Sequence, residues 1–373
     1  METNKMKVAI THGDTNGIGY ELILKTFAEP AMTELCTPIV YGSPKVASYH
    51  RKYLNLPTNF SIIGKAEEAQ DGKLNVLTTF EEEVKVELGQ QSPESDSAAL
   101  TALDRAVADF ERQAYDALVT APVNVIPESG FTSHTDYLEH RLGGGAHALR
   151  IIINEKTRVA VVADNLSLRD VPEAITKERV METAKILHQS LRRDFNISNP
   201  RIATLMLNPQ EGTEEVEQIK PAVEQLSDEG VQCFGPYPAD RFFGEGMYST
   251  FDAVLAMYYE QGVTPLKAIG KEESVCFSAG LPIVHVESTL TTAYDAAGKG
   301  ETPEDSFREA IYTAIDIARN RKRYDEPLGN PLKKLYHERR EDGEKARFFP
   351  REPKTFGGGF GRPKNNAEQG GES

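Results

Sequence analysis

The sequence predicts an α/β fold with two lobes and a largely parallel β-sheet, and two observations support this expectation. Short runs rich in β-branched residues recur along the chain and alternate with segments whose apolar residues have helical spacing. In addition, a length of 373 residues exceeds one ordinary domain, which favours two lobes. We predict strands in the runs KVAI, TPIVYG, FSIIG, DALVTAP, RVAVVAD, RIATLML and SVCFSAG.

Helices are predicted where apolar residues repeat every three or four positions. In the segment 97–114, Ala99, Leu103, Ala106 and Phe110 follow this spacing, and charged residues occupy the opposite face. The same pattern predicts helices over residues 19–28, 97–114, 177–192, 214–229 and 303–319. The last part of the chain, residues 339–373, is rich in glycine, proline and charge, and is predicted to be a flexible tail.

Charge and composition argue against several classes of partner. The net charge of −15 disfavours nucleic acid, because phosphates repel an acidic surface. The longest uncharged apolar run, SVCFSAGLPIVHV, is too short to span a bilayer, and METNKMKVAI at the start lacks the features of a signal peptide. Cys36, Cys233 and Cys276 match no metal or disulfide spacing. We therefore expect a cytoplasmic protein that binds neither membranes nor nucleic acids.

A glycine-rich loop follows the first predicted strand, in the stretch THGDTNGIGYELILKTF. A strand, a glycine loop and a helix together can offer backbone N–H groups to an anion. The spacing G-x-x-x-G-x-G, however, is neither the dinucleotide fingerprint nor a P-loop. An anion site and a tight turn that needs glycine both remain open on the loop alone.

Several further blocks occur in a fixed order along the chain. They are LVTAPVN, SHTDYLEHRLG, RVAVVADNLSLRDVPEAIT, LNPQEGTEE, GPYPADRFF, AMYYEQGVTPLK and AGLPIV. Together with GDTNGIGYE, these blocks resemble those of the 4-hydroxythreonine-4-phosphate dehydrogenase family over roughly residues 7–319. The resemblance implies that the glycine loop is a turn at the edge of the family's cleft.

The resemblance implies a fold similar to that of isocitrate and isopropylmalate dehydrogenases, with two α/β lobes around a cleft, and a homodimer. We expect residues 1–125 and 268–338 to form the first lobe, and residues 126–267 to form the second lobe with the dimer interface. Family members oxidise 4-phosphooxy-threonine with NAD or NADP, and the β-keto acid then loses CO₂. The product feeds pyridoxal phosphate synthesis, and a divalent metal held by three histidines from both subunits polarises the reacting oxygen.

All three of the family's metal histidines are replaced in this sequence. Asn165, Gln210 and Tyr259 stand at their positions. An amide oxygen is a weak ligand and a phenol is un-ionised near neutral pH, so these residues do not make a site for a transition metal. We predict that the usual metal is absent.

The resemblance implies substrate contacts for residues that the chain keeps. His134 and Thr135 match the family's His-Thr pair, Lys267 matches its substrate lysine, and Asp240 lies in the kept Pro-Ala-Asp motif. Without the resemblance, His134 would be interpreted as a helix cap and Lys267 as part of a solvated face.

Two other substrate positions have changed, since Cys276 replaces an asparagine and His285 replaces an arginine. Imidazole cannot reproduce the bidentate contact of a guanidinium with phosphate or carboxylate.

Two hypotheses about function follow. In the first, the protein is an NAD(P)-dependent dehydrogenase of a phosphorylated hydroxy amino acid, with Lys267 as the cation and His134 as the general base in place of the metal. In the alternative, it is a catalytically silent or repurposed paralogue that binds or regulates an active homologue.

Overall fold

A twelve-stranded mixed β-sheet forms the framework of the residues that the structure describes. The structure is a computed structural model, and it describes residues 5–80, 84–124, 130–270 and 274–329. The strands are β1 (Lys7–Thr11), β2 (Thr37–Gly42), β3 (Phe60–Ile63), β4 (Leu74–Thr78), β5 (Ala117–Thr120), β6 (Leu149–Ile153), β7 (Arg158–Ala163), β8 (Ile202–Leu205), β9 (Cys233–Tyr237), β10 (Ala253–Tyr258), β11 (Val275–Ala279) and β12 (His285–Ser288).

Helices connect these strands, as the alternating pattern predicted. They are α1 (Gly19–Thr26), α2 (Pro30–Leu35), α3 (Pro44–Tyr53), α4 (Pro93–Glu111), α5 (His134–Leu142), α6 (Val171–Ala174), α7 (Lys177–Arg193), α8 (Lys220–Asp228), α9 (Ala239–Gly244), α10 (Tyr259–Ile269) and α11 (Asp305–Gly329). Each segment predicted to be helical contains a helix. None of the helices in the described ranges is long and apolar enough to cross a membrane.

Capping explains why α4 begins earlier than its apolar pattern predicted. Ser92 adopts an extended conformation and its hydroxyl accepts a hydrogen bond from the Ser95 backbone at 3.2 Å. Pro93 occupies the first helical position, where its missing N–H costs nothing. The helix therefore starts at Pro93 although its buried face becomes regular only later.

The strand order is β3-β4-β2-β1-β5-β12-β11-β6-β7-β10-β8-β9. The six strands from β3 to β12 run parallel to one another, as do the four strands from β7 to β9. Between these blocks, β11 is antiparallel to both β12 and β6, and β6 is antiparallel to β7. The largely parallel sheet that the sequence predicted is thus interrupted in the middle, where the strand direction reverses.

A short turn produces the antiparallel pair β6–β7. The Asn154 side chain accepts hydrogen bonds from the backbone N–H groups of Lys156 and Thr157, both at 2.9 Å. Such an Asx turn lets the chain reverse without a crossover helix.

Strands from residues 7–120 and 275–288 form one side of the sheet, and strands from 149–258 form the other. The described residues group as one compact unit, and the division into two lobes stays a prediction. The predicted tail at residues 339–373 lies outside the described residues. Buried apolar side chains such as Ile10, Phe277 and Phe307 form the main core where α11 covers the sheet.

Candidate active site

A small cavity lies beside four adjacent central strands, β5, β12, β11 and β6. Its volume is about 200 Å³, and the side chains that line it include His134, Arg150, Tyr259, Lys267, Cys276 and Glu287. At about 30 Å³ per water molecule, the cavity has room for a small organic acid but not for a whole dinucleotide. Four of these six residues were singled out from the sequence.

A larger groove of about 690 Å³ lies elsewhere on the molecule. Residues of α7 such as Lys177 and Lys185 line it together with Arg321. None of the predicted substrate residues borders this groove. The smaller cavity is the better candidate, because His134 and Lys267 converge there.

His134 is the first residue of α5 and is 5% exposed. The cap of this helix is Ser133, whose hydroxyl accepts a hydrogen bond from the Asp136 backbone at 3.1 Å, so capping does not explain His134. The imidazole Nδ1 lies 2.9 Å from Glu287 Oε2 and 3.2 Å from Thr120 Oγ1. Because an ionised carboxylate only accepts hydrogen bonds, Nδ1 carries the proton in this pair.

Glu287 is a candidate residue that the sequence analysis missed. Burial alone would raise the pKa of its carboxyl, but the hydrogen bond and charge of His134, aided by His285 and Arg150, lower that pKa to about 2. Glu287 is therefore an anion at neutral pH. A signal for it exists in the sequence, since it is a lone charge in the otherwise uncharged strand HVES.

His285 lies behind His134, fully buried and outside the lining of the cavity. Its Nε2 is 3.0 Å from Thr120 Oγ1, and its Nδ1 is 2.8 Å from Ser278 Oγ. The Ser278 hydroxyl in turn lies 2.7 Å from Thr135 Oγ1. Burial lowers the pKa of His285 to about 4, so its ring is neutral. His285 and Thr135 thus form a second layer that supports His134.

Arg150 on β6 is the second residue that the sequence analysis missed. Its Nη1 lies 3.3 Å from Asp164 Oδ2, and the guanidinium also lies near Cys276 and Glu287. Burial raises the pKa of the Cys276 thiol to about 12, so Cys276 is present as the neutral thiol. The run LRIII carries a signal here too, because an arginine inside an apolar strand needs a partner.

Lys267 lies in the last turn of α10, and its side chain is exposed at the cavity. Within the described ranges, no hydrogen bond or ion pair holds its ammonium group. Asp240, in contrast, lies on α9, is exposed, and does not line the cavity. Among the described residues the cavity thus contains two cations, Lys267 and Arg150, and the roles of all the predicted substrate residues stay predictions.

The three positions where the resemblance places metal ligands do not offer the imidazole or anionic donors that a zinc-like metal prefers. Asn165 and Gln210 are exposed and do not line the cavity. Tyr259 does line it, but burial raises the pKa of its phenol, which keeps the proton on. Two amides and a neutral phenol do not fit a zinc-like metal.

Another group of side chains has ligand types that a metal accepts. His134, His285 and Glu287 each place one donor atom within 4.8 Å of the others, the one such cluster found in the described part of the chain. The Thr120 hydroxyl, however, stands between the two imidazoles, and both facing nitrogens already have hydrogen-bond partners. We interpret the cluster as a hydrogen-bonded network for this reason.

The glycine loop is a structural turn. Gly13 has φ +71°, and a Cβ there would lie 2.3 Å from the Pro122 carbonyl oxygen. Asp14 is buried and accepts hydrogen bonds from the Asn16 backbone and from the hydroxyl of Tyr294. Because these contacts are internal, the loop favours the tight-turn interpretation over an anion site.

Comparisons with known proteins agree on one family. The family described as "Pyridoxal phosphate biosynthetic protein PdxA" matches residues 34–314. A 4-hydroxythreonine-4-phosphate dehydrogenase of Bacteroides thetaiotaomicron is 48% identical over 93% of this chain and 98% of that relative. A D-threonate 4-phosphate dehydrogenase of Cupriavidus necator is 33% identical over 84% of this chain and 98% of that relative.

The fold is shared as well. The crystal structure of 4-hydroxythreonine-4-phosphate dehydrogenase from Klebsiella pneumoniae superposes with a TM-score of 0.76, at 28% identity, over 85% of this chain and 99% of that structure. The α/β fold class predicted from the sequence is therefore confirmed, as is the resemblance on which the site residues were chosen.

Proposed function

Because the chain belongs to the family of the pyridoxal phosphate biosynthetic protein PdxA, we propose that it oxidises a phosphorylated hydroxy acid with NAD or NADP. Its relatives are named dehydrogenases, and it is an oxidoreductase of this family. The observation that carries the proposal is the convergence of His134, Arg150 and Lys267 on one small cavity. The order of events we propose is oxidation followed by loss of CO₂.

The two cations bind the substrate's negative charges. Arg150 presents a planar donor group suited to phosphate or carboxylate, and it supplies the charge that His285 cannot. Lys267 adds a positive charge at the edge of the cavity. Its exposed ammonium group is free to approach an oxygen on which negative charge grows.

His134 receives the proton of the reacting hydroxyl. With the proton on Nδ1, directed at Glu287, the other ring nitrogen is a hydrogen-bond acceptor. A bound nicotinamide cofactor would supply the acceptor for the hydride that leaves the carbon carrying this hydroxyl. A carbonyl group forms as the O–H proton passes to His134. The resulting β-keto acid then loses CO₂, and Lys267 stabilises the negative charge that this step leaves on the carbonyl oxygen.

We propose that this protein works without the family's metal. The support is the chemistry of Asn165, Gln210 and Tyr259, which offer no imidazole and no anion. A Lewis acid typically lowers a barrier by several kcal/mol, so the cation and base must replace that contribution. We also propose a cytoplasmic homodimer, in which Leu166 and Leu168, exposed after β7, offer an apolar contact.

The substrate is tested by measuring the absorbance of reduced cofactor. Chelator-treated protein is mixed with NAD or NADP and either 4-phosphooxy-L-threonine or 4-phospho-D-threonate, acids that differ in carrying an amino group or a hydroxyl next to the carboxylate. Turnover without metal supports the proposal and identifies the substrate. Activity that chelation abolishes and zinc restores contradicts the metal-free site. No turnover under any condition favours a silent paralogue, which light scattering and co-purification with an active homologue then test.

A further inference from the structure

The side chains around the cavity form a continuous row of hydrogen bonds. It runs from Glu287 to His134, then through Thr120 and His285 to Ser278, with each donor–acceptor distance between 2.8 and 3.2 Å. Four elements contribute to the row, namely β12, α5, β5 and β11. Its residues are buried or nearly so, which keeps water from competing for these bonds.

We infer that Glu287 is a positioning residue, which holds His134 in the tautomer with its proton on Nδ1 and so leaves Nε2 free to accept the substrate's proton. This inference rests on the proposed function, because it explains how His134, the base of that reaction, is kept able to accept a proton. A carboxylate that accepts from one ring nitrogen fixes both the tautomer and the orientation of an imidazole. In the charged form that follows proton transfer, the same carboxylate stabilises the imidazolium.

The contacts on the two ring nitrogens support this assignment. Nδ1 is occupied by Glu287 and Thr120, whereas no partner of Nε2 is found in the described residues. Thr120 can accept from Nδ1 and donate to His285, whose ring is neutral and therefore has a lone pair on one nitrogen. Because the Glu287 carboxylate only accepts, the first bond of the row needs the proton on His134 Nδ1, and the bonds through Thr120, His285 and Ser278 can then run in the same direction.

The proton balance of the step is simple. The substrate's O–H bond breaks, and the proton bonds to His134 Nε2. The electron pair of the broken O–H bond forms the new carbonyl π bond. At the same time the electron pair of the C–H bond leaves with its hydrogen as hydride to the nicotinamide. Glu287 keeps its charge throughout, since the pKa of its carboxyl is about 2. His134 later returns the proton to water.

Other charged or titratable groups around His134 do not replace Glu287. In the part of the chain that the structure describes, they are His285 on β12, Cys276 on β11, Arg150 on β6, and Tyr259 and Lys267 on α10. His285, Cys276 and Tyr259 are neutral near pH 7, and Arg150 and Lys267 are cations that cannot accept a hydrogen bond from the ring. Glu287 is the anion that hydrogen-bonds to the ring.

The variant Glu287→Gln tests the inference in two independent ways. The first is ¹⁵N NMR of histidine-labelled protein without substrate, with His134→Asn used to assign the signal. We expect wild-type His134 to show the Nδ1–H tautomer, and Glu287→Gln to lose that preference. Wild-type protein that shows the Nε2–H tautomer overturns the inference whether or not the protein turns over any substrate.

The second readout is kinetic. We expect Glu287→Gln to lower kcat/KM by about 10²-fold, within the usual contribution of a general base. The double variant with His134→Asn should be no slower than His134→Asn alone, since the two residues act as a unit. Additive losses contradict the inference.

A matched control exists in the same chain. His147 Nδ1 lies 3.2 Å from Glu139 Oε1 in an exposed pair outside the cavity. Glu139→Gln should leave kcat/KM unchanged. If Glu287→Gln fails to fold, judged by thermal melting, Glu287→Asp retracts the carboxylate while keeping its charge, and it should also lower kcat/KM. A wild-type Nδ1–H tautomer with no dehydrogenase activity would refute the proposed function but not the positioning of His134.

Discussion

Replacing Arg150 by methionine should weaken substrate binding selectively. The side chain lines the cavity and is about one-fifth exposed, so methionine can fill its place beside Cys276 without a large cavity. A hydrogen bond to a charged group contributes about 1.5–3 kcal/mol. At about 1.4 kcal/mol per tenfold, loss of this contact should raise KM by a factor of roughly 10 to 100.

The contact between Arg150 and Asp164 lowers the expected rise in KM. Arg150 already pairs with Asp164 at 3.3 Å, so part of its charge is compensated before substrate binds. We therefore expect the lower half of the range, about 10- to 30-fold in KM, with a smaller change in kcat. Arg150→Lys should recover only part of the loss, because lysine keeps the charge without the planar pair of donors.

The assay is steady-state reduction of the cofactor together with inhibition by inorganic phosphate. Arg158→Met serves as the control, because Arg158 is an arginine of the neighbouring strand β7 that stacks over Phe195 at 4.6 Å and does not line the cavity. This control should lower thermal stability and leave KM and phosphate inhibition unchanged. A KM for Arg150→Met within twofold of wild type would refute the assignment of Arg150 as the anion-binding residue.

Three further outcomes follow from the same structure. Gly13→Ala should destabilise the fold by at least about 1 kcal/mol in urea unfolding, because the new Cβ meets the Pro122 carbonyl and the φ angle of Gly13 is positive. Unchanged stability would contradict the tight-turn interpretation. Cys276 should resist iodoacetamide in the native protein and react only after unfolding, since burial raises the pKa of its thiol to about 12. Labelling of the native protein, detected by mass spectrometry, would count against this prediction. The free energy of unfolding should fall as pH drops from about 6.5 towards 4. Burial lowers the pKa of His12 and His285 to about 4, so the unfolded chain binds more protons than the folded chain across this window. A flat profile of urea midpoints across the window would disprove this prediction.

Local pattern was enough to predict the alternating elements and part of the site. The runs that became β1, β2 and β7 are apolar and β-branched, and such runs identify buried strands without any knowledge of their partners. His134 and Lys267 were found through their motifs, and the structure brings both to one cavity. Their roles stay predictions until variants are measured.

The residues that were missed depend on sheet order rather than on local pattern. Arg150 lies opposite Ser278 in the register of β6 and β11, across more than a hundred residues of sequence. Glu287 faces His134 only because β12 pairs with β5. A single sequence does not reveal such pairings, so each charge appeared as an isolated exception within an apolar strand.

The central position of β11 and β12 has a consequence for how the chain is made. Before residues 275–288 leave the ribosome, β5 and β6 each lack one strand neighbour, because their partners are β12 and β11. The two halves of the sheet then have no backbone hydrogen bonds in common among the described strands. A nascent chain therefore exposes two open strand edges until late in synthesis, when they are most vulnerable to pairing with another chain. The insertion of one short hairpin closes both edges and assembles the cavity in the same event.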